Sequence, residues 1–177
     1  MKRLILMRHA KTEPWYEGAD DEGRALVPRG KADAAKIAQT IQTLGWTPDK
    51  VLLSPSRRTR ETWSEMVRWF PETDRGIIEE LYLCGLRGLD RIVTEHDDTE
   101  TLMLIGHNPG MHDFSCAILR DAGTVSQPAA LSIVAKMPTG TVALFEADVS
   151  QPFSSGAFRL IDVIRPKSLR EAPEVDP

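Results

Sequence analysis

Two of the chain's four histidines stand at the ends of uninterrupted apolar runs. Arg8-His9 follows Leu4-Ile5-Leu6-Met7, and Gly106-His107 follows Leu102-Met103-Leu104-Ile105. A third run, Val51-Leu52-Leu53, ends at Ser54-Pro55-Ser56-Arg57-Arg58. An imidazole can serve as a nucleophile, and the planar fork of a guanidinium matches phosphate oxygens two at a time. If the three ends meet, two histidines and two or more arginines form a cationic pocket suited to a phosphoryl group. Arg57, Arg58 and Arg60 also fall at a predicted helix start, where cations oppose the helix dipole. That placement points to a bound anion, although a solvated helix face is the plain alternative.

Paired histidines can also hold a metal. His107 and His112 lie five apart around a proline, and His96 lies beside Asp97 and Asp98. None of these makes an HExxH pattern, and arginines at the site would repel a dication. No Gly-rich P-loop, GxGxxG or GxSxG motif occurs.

The elements that must position these residues alternate along the chain. Short, wholly apolar runs fit strands buried on both faces, as in a parallel sheet. Helical spacing links Ala34, Ile37, Ala38, Ile41 and Leu44 over residues 31–44, with Gly45 as a stop. A second helix carries Trp63, Met66, Val67 and Phe70 as a core stripe, a third carries Leu86, Leu89, Ile92 and Val93, and a fourth runs on from Pro109. Residues 13–29 read as a long loop whose charges, Asp20, Asp21, Glu22 and Arg24, are solvated, and residues 121–139 as mixed. Ile77-Ile78 is a weak strand, and Thr141–Phe145 and Phe158–Ile164 are two closing strands with no helix between them. The pattern predicts an α/β three-layer sandwich. Its central sheet is mainly parallel with at least one antiparallel strand, and helices cover both faces. In such a sheet ligands bind beyond the carboxyl ends of the strands, where all three motifs fall.

Bulk properties bound the rest. A chain of 177 residues fits one domain, here 1–165, with 166–177 as a charged, Pro-rich mobile tail. The net charge of -4 gives no bias toward nucleic acid or an anionic membrane, so any field for an anion is local. No apolar run approaches a membrane span. Cys84 and Cys116 form neither a disulfide framework nor a CxxC motif, so a cytoplasmic setting is expected.

Together the three blocks resemble the histidine phosphatase, or phosphoglycerate mutase-like, superfamily. Leu6-Met7-Arg8-His9 resembles its strand followed by Arg-His-Gly, with Ala10 in the glycine position; Arg-His-Ala-Lys-Thr is similar to the SixA-type branch. Ser54 to Thr62 resembles its Ser-Pro-x-x-Arg-Ala-x-x-Thr, which makes Arg58 rather than Arg57 the phosphate-binding arginine and puts Thr59 in the alanine position. Gly106-His107-Asn108-Pro109-Gly110 resembles the second histidine motif. The resemblance runs from about residue 3 to residue 165.

The resemblance implies a metal-independent phosphatase in which His9 attacks phosphorus and carries the phosphoryl group. Arg8, Arg58 and His107 would hold its oxygens, and no cofactor is needed. In many relatives a glutamate between the second and third blocks protonates the leaving group. Glu80 is the candidate here, one residue further from the following glycine than the usual pattern, and an ordinary loop carboxylate is the alternative.

Only 48 residues separate Arg58 from His107, too few for the helical cap of larger relatives. An open site with a dispensable acid favours phosphohistidine on a protein, the SixA reaction. A small phosphate ester on the same mechanism is the runner-up, and a non-catalytic phosphate-binding adaptor is the rival of another class. Oligomeric state is left open.

Overall fold

The computed structural model describes residues 1–171 of the chain. Among them, six strands form one sheet in the order β3-β2-β4-β1-β5-β6. These are β1 (Arg3–Arg8), β2 (Lys50–Leu53), β3 (Asp74–Ile77), β4 (Thr101–Gly106), β5 (Val142–Ala147) and β6 (Phe158–Ile164). β1 to β4 are mutually parallel, whereas β5 runs antiparallel to β1 and β6 antiparallel to β5. The expected mixed sheet is what the chain forms.

Six helices accompany the sheet: α1 (Pro28–Thr43), α2 (Arg57–Met66), α3 (Leu86–Thr94), α4 (Gly110–Asp121), α5 (Pro128–Ala135) and α6 (Pro166–Glu171). The alternation of side chains along each strand divides the core in two. Leu4, Leu6, Leu52, Leu102 and Leu104 pack with Leu89, Phe114, Ile118 and Ile133 from α3, α4 and α5. Ile5, Met7, Val51, Leu53, Met103 and Ile105 pack with Ile37, Ile41, Trp63 and Met66 from α1 and α2. Burial on both faces explains why these strands are continuously apolar in sequence.

Three expectations need correction. Val67 is 41% exposed because α2 ends at Met66 and tightens into a 3-10 turn, which rotates residue 67 out of the stripe. The mixed segment 121–139 contains α5, which Pro128 starts at N1 rather than interrupts. Residues 166–171 of the expected tail form α6. Pro166 opens that helix, Leu169 packs on the α1 side of the core and Arg170 lies 3.8 Å from Asp33. The remainder of the tail falls outside the described residues.

Candidate active site

The carboxyl ends of β1, β2 and β4 converge, and the register fixes how. Arg8 pairs with Gly106 across the β1–β4 ladder, and the next amide, His9 N, donates to Gly106 O at 3.1 Å. From the other side Gly140 N donates to His9 O at 2.9 Å, and Ala10 N donates to Thr62 Oγ1 on α2 at 3.1 Å. His9 is therefore held through its backbone from three directions. Its ring lies 5.3 Å from that of His107.

Hydrogen bonding assigns the two tautomers. His9 Nδ1 lies 2.8 Å from the carbonyl oxygen of Ala10, which can only accept. Nδ1 therefore carries the proton, and Nε2 keeps its lone pair. Burial pushes His9 down to about 3; the Ala10 bond opposes the shift, and His107, Arg58 and Arg8 reinforce it. His107 accepts from Arg58 Nε through Nδ1 at 3.3 Å and so donates from Nε2 to Ser54 Oγ at 2.7 Å. It too is pushed to about 3, by burial first and by Arg58 next, with Asp21 opposing. Both rings are neutral at pH 7.

Arg58 is 2% exposed and all three of its nitrogens are engaged. Besides His107 it donates through Nη1 to the Asp21 carbonyl and through Nη2 to Asp21 Oδ2 at 3.0 Å. Tyr82 OH donates to the same carboxylate oxygen at 2.9 Å, and its ring stands edge-on to His107 at 5.4 Å. Arg8 anchors Nη1 on the Met137 carbonyl at 3.0 Å, while its Nε is buried with no partner. Burial, then the charges of Arg24 and Arg58, lowers the Arg8 pKa. Crowded guanidiniums around an unsatisfied donor and two neutral imidazoles favour a multiply charged anion.

Comparison with known proteins agrees with this geometry. Residues 4–82 match the model of the histidine phosphatase superfamily, branch 1. Over those residues the chain is similar to that superfamily. A candidate phosphohistidine phosphatase SixA from Agrobacterium tumefaciens superposes with a TM-score of 0.79 at 27% identity, covering 93% of this chain and 98% of that one. A second SixA candidate, from Nakamurella multipartitia, shares the fold with a TM-score of 0.81 at 23% identity over 93% of this chain and 96% of its own. An uncharacterized chloroplastic protein of Arabidopsis thaliana is 37% identical over 124 residues, which are 63% of this chain and 56% of the relative. The chain thus spans little more than half the length of that curated relative.

Within this site, Arg8, His9, Arg58 and His107 are brought together. Glu80 is not: its side chain is 66% exposed and its Oε1 lies 3.6 Å from Arg91 Nη2. The 3-10 turn Glu79–Leu81 directs that carboxylate outward, and the residue after the turn, Tyr82, faces the site instead. Arg57 is also outside, its Nε paired with Glu61 Oε1 at 2.7 Å on the surface of α2. The remaining histidines bond to carbonyls, His96 to Ile92 at 2.9 Å and His112 to Ile133 at 2.8 Å.

Sequence reasoning missed Asp21 and Tyr82. Asp21 lies 37 positions from Arg58 in a loop that reads as solvated, and its carboxylate also has Arg24 Nε 3.1 Å away. Burial raises the Asp21 pKa, but the Tyr82 bond and Arg58 outweigh it and hold the carboxylate below its ordinary value. Glu61 Oε2 ties the loop to α2 by accepting from Leu26 N at 2.7 Å. The departure at Thr59 is accommodated: this fully buried hydroxyl lies 2.7 Å from Ser54 O and 2.8 Å from Ser56 O.

Proposed function

We propose that the protein is a phosphatase that works through a phosphohistidine at His9 and acts on phosphohistidine of protein substrates. The single observation that carries the reading is the His9 Nδ1 bond to Ala10 O, which leaves Nε2 as an unprotonated nucleophile among Arg8, Arg58 and His107. Nε2 donates its electron pair to phosphorus while the bond from phosphorus to the leaving nitrogen breaks and that nitrogen keeps the pair. Arg8 and Arg58 offset charge on the transferring oxygens. Water then attacks the same phosphorus, the P–Nε2 bond breaks with its electron pair returning to Nε2, and the proton of the water leaves on the released phosphate.

Two features favour a P–N substrate. Among the described residues, Glu80 pairs with Arg91 at the surface and Asp21 is held ionised, so neither is placed to donate a proton to the leaving group. A phosphorylated imidazole that carries its own ring proton leaves as neutral imidazole, whose conjugate acid has a pKa of about 6.5, whereas an alkoxide needs a donor. Residues 59–106 are consumed by the rest of α2, two 3-10 turns, β3, α3 and β4, with no helical layer inserted over the strand ends. A side chain on another protein can therefore approach.

The test is competitive turnover of a phosphohistidine peptide against a panel of sugar phosphates. Faster turnover of the peptide is expected. Faster turnover of the sugar phosphates sinks the preference in favour of a small-molecule phosphomonoesterase. A wild type that hydrolyses no phosphate, even an aryl one, but binds phosphopeptides is an adaptor.

A further inference from the structure

A second cationic cleft adjoins the site. Lys11, Arg29, Lys136, Arg165, Lys167 and Arg170 line a volume of about 370 Å³ together with a single carboxylate, Asp33. The inversion is local, since the whole chain carries a net charge of -4. The contact of Asp33 with Arg170 is long at 3.8 Å. Lys11, Arg29 and Lys136 are exposed and have no carboxylate partner among the described residues. Arg165 is fixed by donating Nη2 to Ser132 O at 2.6 Å and Lys136 O at 3.0 Å, while its Nε is buried with no partner.

The cleft connects to the catalytic groups through a shared wall. Lys136 and Pro138 line both it and a neighbouring cavity of about 450 Å³ that Arg8, Asn108 and His112 also line. Between them, Met137 O receives the anchoring bonds of Arg8 and Asn108, each 3.0 Å. Lys11 follows His9 by two positions. A substrate whose phosphoryl group sits at His9 and whose bulk extends past Arg8 would lay its neighbouring groups over this cleft.

We propose that the cleft binds Asp or Glu side chains that flank the phosphorylated residue of a protein substrate. The proposal rests on the phosphohistidine reading above and narrows it to acidic sequence contexts. A second phosphate on a small molecule would call for a convergent cradle like that at Arg8 and Arg58. Here the cations are spread over the loop after β1, the first turn of α1, residue 136 and α6, which suits several separate carboxylates. Solvent-facing cations of this kind act mainly on encounter and selection between partners.

The experiment compares two phosphohistidine peptides that differ only in having Glu or Gln at the flanking positions. For the wild type, kcat/KM should favour the Glu peptide by about tenfold at low salt and by less at high salt. In Arg29→Gln/Lys136→Gln the ratio, taken within that one variant, should fall close to one. A charge-blind wild type, or a ratio that survives the double substitution, overturns the proposal. So does a second phosphate on an aryl phosphate that is favoured where the peptides are not. If neither peptide is cleaved, the phosphohistidine reading fails, and binding of a fluorescent, unphosphorylated Glu-rich hexapeptide decides the cleft. Binding lost in the double variant supports it; equal or absent binding rejects it.

Discussion

The ends of β1 and β4 are neighbours in one ladder, yet they deliver chemically different histidines. Both rings are buried, neutral and 5.3 Å apart. At the β1 end one ring nitrogen is tied to the carbonyl of the next residue, and Nε2 is left to react. At the β4 end both nitrogens are committed, one to Ser54 just after β2 and one to Arg58 in the first turn of α2. Strand register decides where an imidazole sits, and the second partner decides what it does. In the proposed reaction His9 is the group that attacks, and His107 the one that holds the arginine that receives the charge.

Substitutions should separate the two roles. His9→Ala is expected to lower kcat on an aryl phosphate by about 10⁴-fold or more, as loss of a nucleophile does, and to abolish the acid-labile phosphoenzyme in rapid-quench experiments. His107→Ala should slow turnover by about 10²-fold while the phosphoenzyme still forms. The reverse ranking would exchange the assignments. Asp21→Asn removes the carboxylate on Arg58 Nη2 and should reduce kcat/KM by about tenfold; phosphate inhibition measured alongside shows whether anion binding carries the loss. Glu80→Gln, on the surface, should stay within about twofold of wild type, and a large drop would restore it as the acid.

The shared depression of both pKa values gives a pH signature. An unfolded histidine takes a proton near pH 6.5, whereas these two resist until about pH 3 when folded. The unfolded state thus binds more protons in that window, and stability falls as pH drops through it. The slope is about 1.4 kcal/mol per pH unit for each histidine. Urea unfolding at pH 7 and pH 5 measures the effect, and His107→Ala should flatten it. For the same reason kcat/KM should show no histidine limb near pH 6.5.

How far this was legible in the sequence follows from the range of each interaction. Strands β1 and β4 announce themselves because burial on both faces makes their central residues apolar, and Arg8, His9 and His107 are read from their ends, whereas Arg58 beyond β2 is singled out from Arg57 by the family resemblance. Asp21 is illegible because its partners, Arg58 and Tyr82, are 37 and 61 positions away and no local pattern marks the loop. Glu80 illustrates the opposite failure. The family resemblance nominates it, but one 3-10 turn gives its carboxylate to Arg91 and puts Tyr82 at the site. α5 and α6 were obscured by prolines that start helices as readily as they stop them.

Gly110 sets a limit on how this site can be redesigned. A methyl group at its Cα would come within 1.8 Å of the Cys84 carbonyl oxygen, so the first turn of α4 and the segment after Tyr82 are pressed backbone to backbone. The wall bearing Tyr82 cannot be lengthened or re-aimed without dislodging the helix that follows His107. Engineering of a new substrate range should therefore begin elsewhere, around Gly18 in the loop after β1, where an added methyl group would meet nothing within 4 Å.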